Sequence, residues 1–159
     1  ATKPIRVTGD KDMPMTDESF DHVVCLETLE YIEKPPVAMF EIARVLRKGG
    51  TLLLSTPFAH APDQPHDRWR FTQEELSGLL RGVRLNPVKV VAQGGRFAGY
   101  AHRLKSLASR HPYKLIRWSG AMVLLLPVEL FMFLDRLLRR WPGMSDAPTG
   151  YLAIATKPL

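Results

Sequence analysis

Between Pro57 and Phe71 the chain gathers side chains that can move a proton, grip an anion and hold a ring. His60, His66 and Asp67 are the titratable groups of this stretch, able to serve as a general base toward an oxygen or nitrogen that starts protonated, and His66 is the first choice. Arg68 and Arg70 can recognise a carboxylate or phosphate, although Arg70 could equally pair with a neighbouring acid and fix the loop. Phe58, Trp69 and Arg70 are the candidate substrate contacts, with Trp69 and Phe71 read first as anchors that pack the loop down. The alternative for the histidines is a polar loop that merely caps a sheet. No metal site is expected.

Elements that would position this loop are readable on both sides of it. Phe20 to Leu26 has the β-branched centre of a strand, and its continuous rather than alternating hydrophobicity predicts burial on both faces. After Pro35 and Pro36, Met39, Ile42, Ala43 and Leu46 recur at helical spacing, and Arg47, Lys48, Gly49 and Gly50 read as a basic last turn and a glycine stop. Thr51 to Thr56 then predicts a second buried strand, so a parallel strand-helix-strand unit is expected, with ligands at the strands' carboxyl ends. Past the loop, Thr72 and Glu75 form a capping box before a Leu76, Leu79, Leu80 stripe. Val88 to Val91 reads as an edge strand because of Pro87, and Tyr151 to Thr156 as a last strand. Ile5 and Val7 suggest a further short strand.

Three stretches carry a resemblance: Asp12 to Asp21, Glu27-Thr28-Leu29-Glu30-Tyr31, and Arg44 to Leu54 with its central Lys48-Gly49-Gly50. In this order, with His66 to Thr72 following, they resemble the class I S-adenosylmethionine-dependent methyltransferases of the ubiquinone-biosynthesis type, over roughly residues 4–97. The resemblance implies an α/β fold, a partial Rossmann-like methyltransferase sheet with a helical insertion before the last strand. It implies S-adenosylmethionine as cofactor, with Asp12 accepting from the adenine amino group, the Met13 N–H facing a ring nitrogen, and Cys25, Leu26 and Glu27 beside the methionine portion. Cys25 can also be read as a small buried hydrophobe. No Gly-x-Gly-x-Gly turn and no acidic end of a second strand precede these motifs. With Ala1 in place of a methionine, that makes residues 1–159 an expected single, N-terminally incomplete methyltransferase domain. Tyr31 stands where relatives often carry histidine, and a tyrosine cannot act as a base at neutral pH.

The chain is 45% hydrophobic and carries a net charge of +6, and the charge is localised. Tyr100 to Pro142 holds eight Lys and Arg against Glu129 and Asp135, while the remainder is neutral overall. This 100–142 segment reads as a basic, apolar helical insertion. Its apolar run from Ala121 to Leu134 is interrupted by Pro127 and Glu129 and falls short of the roughly 20 residues a membrane span needs. Peripheral membrane contact through 113–141 is one reading, and a cover packed on the protein's own sheet or a homodimer partner is the other. Nucleic acid is not expected, since no stacking aromatics interleave the basic residues. One cysteine, Cys25, excludes an internal disulfide framework and suits a cytoplasmic setting, or one at the inner membrane face. The expected activity is methyl transfer to a small-molecule, sugar or lipid-linked acceptor. The alternative is a non-catalytic membrane-surface or partner-binding module that retains half of a methyltransferase fold.

Overall fold

The computed structural model describes residues 13–59, 64–95, 97–100, 127–138 and 148–159. Asp12, His60 and the Ile5 to Val7 strand lie outside these residues, as does most of the basic insertion. The described elements are β1 (Phe20–Leu26), a 3-10 turn (Leu29–Tyr31), α1 (Pro35–Val45), β2 (Leu46–Pro57), α2 (Gln73–Gly82), β3 (Asn86–Gln93), a helix α3 over 127–138, and β4 (Gly150–Thr156). The strands form one sheet in the order β1-β2-β4-β3, so the strand with Pro87 does sit at an edge, where a missing N–H costs no ladder bond.

β1 and β2 pair in parallel across α1, as the hydrophobic pattern predicts, with Val23 opposite Leu52 and Leu26 opposite Ser55. Two expectations are corrected. β1 is not covered on both faces: Val24 is 63% and Leu26 48% exposed, because among the described residues β2 is its only strand neighbour. The helix also stops earlier than its glycines suggest. α1 ends at Val45, Leu46 turns to extended backbone, and Arg47 to Gly50 already belong to β2. The register slips there, Phe20 opposing Leu46 and His22 opposing Thr51. A Cβ on Gly50 would stand 2.8 Å from the Arg47 carbonyl oxygen and 2.9 Å from that of Asp21, so glycine is required by close backbone approach rather than by a helix stop.

The core consists of Met39, Ile42 and Val45 from α1, Leu46, Leu52 and Leu54 from β2, Leu76 and Leu80 from α2, and Ala153 and Ala155 from β4. Burying side chains of this size is worth about 1.5–3 kcal/mol each for the larger ones. α2 starts where predicted: Thr72 Oγ1 accepts from the Glu75 N–H at 3.2 Å, and the Glu75 carboxylate accepts from the Thr72 N–H at 2.8 Å.

The chain divides into two compact units, one of Ala1–Thr56, Gln64–Val91 and Leu152–Leu159, the other of Pro57–Asp63 and Ala92–Tyr151. In the second, Phe131 of α3 stacks on Phe97 at 5.9 Å and meets Tyr100 at 6.2 Å, and the buried Asp135 accepts from the Ala98 N–H. No helix among the described residues is long and apolar enough to cross a membrane.

Candidate functional site

The carboxyl ends of β1 and β2 are locked to each other at Glu27. This residue leaves the strand with φ +45°, a left-handed conformation uncommon for a side chain of this kind. Ser55 holds it there: the Glu27 N–H donates to the Ser55 carbonyl at 3.1 Å, and the Ser55 hydroxyl donates to Glu27 Oε1 at 2.7 Å. Thr28 Oγ1 donates back to the Leu26 carbonyl at 2.7 Å. The chain then makes its 3-10 turn, which buries Leu29 and Glu30.

Glu30 is the centre of the site. It is 1% exposed, and among the described residues its Oε2 has no hydrogen-bond partner, a condition it shares with the Thr56 hydroxyl at the end of β2. Burial raises its pKa from 4.5 to about 7; its own backbone N–H opposes the rise, Glu27 and Asp67 add to it, and Arg70 opposes it. The Glu30 backbone carbonyl meanwhile accepts from the N–H groups of Arg68 (3.0 Å) and Trp69 (3.4 Å). The loop expected to carry the chemistry is thereby tied to the turn that follows β1.

The loop residues divide by role. Asp67, its side chain 4% exposed, and Arg70 form a two-point ion pair, with Arg70 Nη2 donating to Asp67 Oδ2 at 2.8 Å and Nη1 to Oδ1. Asp67 raises the Arg70 pKa further, and a carboxylate so engaged is a brace rather than the general base the sequence allows. Trp69 donates its indole N–H to the Ile32 carbonyl at 2.9 Å and stacks on Phe71 with centroids 6.4 Å apart, which makes it an anchor. Its outer face and Arg70 also line an open groove of about 680 Å³ with Pro35, Phe40, Phe71 and Leu79. His66 stays exposed on the loop. Phe58 lies in the other unit, edge-on to Tyr151 at 5.5 Å. Cys25 is half-buried, and burial, with Glu30 adding, pushes its thiol up to about 11, so it is the small neutral hydrophobe that its strand position allowed.

On the far side of α1 the structure shows a device that sequence reasoning missed. Arg44 uses its whole guanidinium: Nε and Nη2 donate to the buried Glu41 (2.9 and 2.7 Å), Nη1 to the Met15 carbonyl (2.8 Å) and Asp17, and Nη2 to the Met13 carbonyl (3.1 Å). Arg44 in turn holds the Glu41 carboxyl below its usual range. The Met13 N–H donates to Glu41 Oε2 at 2.8 Å, so the donor expected to face an adenine ring nitrogen is engaged within the protein. The signal was present as a Glu and an Arg three apart on α1, but their partners lie far back along the chain. Among the described residues no cluster of His, Cys, Asp and Glu is arranged to hold a metal ion.

Comparison with known proteins supports the fold. Residues 3–54 match the model of a methyltransferase domain family. Solved structures with the same fold include the [4+2]-cyclase SpnF (16% identity, TM-score 0.59, covering 98% of this chain and 55% of that one). They also include an S-adenosylmethionine-dependent methyltransferase from Methanosarcina mazei (15%, 0.55, 98% and 66%). A third is phosphoethanolamine N-methyltransferase 2 of Haemonchus contortus in complex with S-adenosylmethionine (14%, 0.56, 91% and 35%). No curated protein matches the sequence. Residues 3–54 thus match a methyltransferase domain family, the chain shares the fold of these structures, and it spans 55% of the length of the cyclase.

Proposed function

We propose that this chain is the acceptor-side portion of an enzyme that transfers a methyl group from S-adenosylmethionine to an oxygen or nitrogen of a small-molecule, sugar or lipid-linked acceptor. The observation that carries the proposal is the anchoring of the Asp67 to Phe71 loop to Glu30 at the carboxyl ends of β1 and β2, on a methyltransferase sheet. In sheets of this type that end is where ligands bind. The residues present suit the cofactor there. Glu27, exposed and with one oxygen held by Ser55, keeps acceptor capacity for a cationic ammonium, and Cys25 and Leu26 offer neutral, partly exposed surface to a methionine chain. Asp12 is the proposed acceptor for the adenine amino group.

Bound S-adenosylmethionine supplies an electrophilic methyl on a sulfonium that carries its own leaving group. The protein's share is alignment, exclusion of water and removal of one proton. His66 takes that proton. Glu30 and the Asp67–Arg70 pair are positioning residues that hold the His66 loop against the strand ends, and the groove beside Trp69 and Arg70 receives the acceptor's apolar part.

Isothermal titration of S-adenosylhomocysteine tests the reading, performed on this chain and on a longer version where the gene encodes one. Saturable binding to either supports it, and silence from both removes it in favour of a non-catalytic module. In the competent form, His66→Ala should lower kcat by about 100-fold or more with cofactor affinity unchanged. Turnover preserved within a few-fold removes the base assignment.

A further inference from the structure

Helix α3 presents two different faces. The one that includes Phe131 and Asp135 packs inward, through ring contacts to Phe97 and Tyr100 and the bond from the Ala98 N–H. The opposite one carries Leu130, Phe133 and Leu137, which fall at i, i+3 and i+7 and are 55%, 62% and 61% exposed. Three large apolar side chains aligned and left in water at this spacing form a stripe that a helix normally buries. Its surroundings in the sequence are cationic. Arg136 sits in the helix, Arg139 and Arg140 follow directly, and Arg103, Lys105, Arg110, Lys114 and Arg117 precede, giving the 100–142 segment all of the chain's net +6.

We propose that this face of α3 is a docking surface for an anionic lipid bilayer. Charge complementarity chooses the occupant. A protein cover would need only the apolar stripe, whereas a stripe set within a net +6 segment matches the paired demands of a bilayer surface, which takes apolar side chains into the acyl boundary and basic ones at the headgroups. Insertion is in-plane, since no helix among the described residues is long and apolar enough to span a bilayer. Glu129 and Asp135 do not oppose this orientation: Glu129 lies to one side of the stripe and Asp135 is buried on the inward face. The surface is independent of the methyl-transfer reading and would bring the chain to a membrane whatever its acceptor.

The test is flotation of the 159-residue chain with vesicles of phosphatidylcholine alone and with about 30% phosphatidylglycerol, at low and high salt, beside the variant L130S/F133S/L137S. All three positions are exposed, and circular dichroism confirms that the variant folds. Binding to the anionic vesicles, weakened at about 1 M salt where screening shortens to about 3 Å, is expected, with a loss of at least about tenfold in the triple variant. Absence of binding to anionic vesicles overturns the proposal, as does equal binding by the triple variant. Light scattering without lipid adds one more arm. A dimer that the triple variant abolishes would assign the stripe to a second copy of the chain and likewise overturn it.

Discussion

Replacing Glu30 with glutamine keeps its shape and hydrogen-bonding capacity and removes its charge, so the effect on stability should depend on pH in one direction only. The folded protein binds the Glu30 proton with a pKa of about 7 against 4.5 for the ordinary side chain, because burial penalises the charge and Glu27 and Asp67 repel it. Between these values the folded state therefore holds more protons than the unfolded one, and stability contributed by the neutral carboxyl is complete below about pH 4.5 and lost as pH rises through about 7. At about 1.4 kcal/mol per pH unit the ceiling is about 3.5 kcal/mol, and screening by nearby solvent reduces this to about 1–2 kcal/mol. Glu30→Gln should therefore be near neutral at about pH 4.5 and more stable than the parent by about 1–2 kcal/mol at pH 8. Urea unfolding of both proteins at several pH values reads the difference directly, and subtracting the two curves removes every other titrating group. A difference that stays flat with pH, or shrinks as pH rises, refutes the placement of a buried, proton-binding carboxyl at this turn. Because Glu30 is assigned a positioning role, turnover of a competent form should survive the substitution.

Three further outcomes follow from the same contacts. Arg70→Met removes the two-point ion pair of the buried Asp67 carboxylate and should destabilise the chain by about 2–3 kcal/mol, with Asp67→Asn/Arg70→Met recovering much of the loss in a double-mutant cycle. Thr72→Ala removes the α2 cap and should cost about 1 kcal/mol in urea unfolding, with Thr72→Ser nearly silent. Cys25, with its thiol near 11, should react with a maleimide or iodoacetamide at pH 8 about 100-fold more slowly than an exposed cysteine, and a rate equal to that of free thiol would contradict its burial.

The elements were legible in proportion to how local their causes are. The Thr72 and Glu75 box, the Pro35 start and the edge placement of Pro87 each depend on residues within a few positions of one another, and all three appear as the sequence suggests. Gly49 and Gly50 misled because glycine has two uses. Here Gly50 admits the Arg47 and Asp21 carbonyls and Gly49 takes φ +74° inside a strand, and only the long-range pairing of β1 with β2 shows which use applies. The exposure of Val24 and Leu26 was illegible for a related reason: a strand's composition records the neighbours it is suited to, and its burial depends on which of them are present.

At the site, residue type was readable and assignment was not. His66, Asp67, Trp69 and Arg70 could all be named as capable groups, yet which is a base and which a brace depends on pairings that only the fold closes. Asp67 is consumed by Arg70, Trp69 by the Ile32 carbonyl, and Arg44 by a loop some thirty residues earlier. Glu30 was quoted only as part of a motif, since no spacing rule distinguishes a buried carboxyl from a solvated one. The limit matters for function as well, because a structure of this same fold is a [4+2]-cyclase, so the fold leaves the reaction open. What narrows it is the set of groups presented at the strand ends. Here that set is the exposed Glu27 carboxylate, with the loop of His66 tied to the turn that contains the buried Glu30. An exposed carboxylate there suits a cationic ammonium better than an uncharged reactant, and this charge supports the proposed methyl transfer.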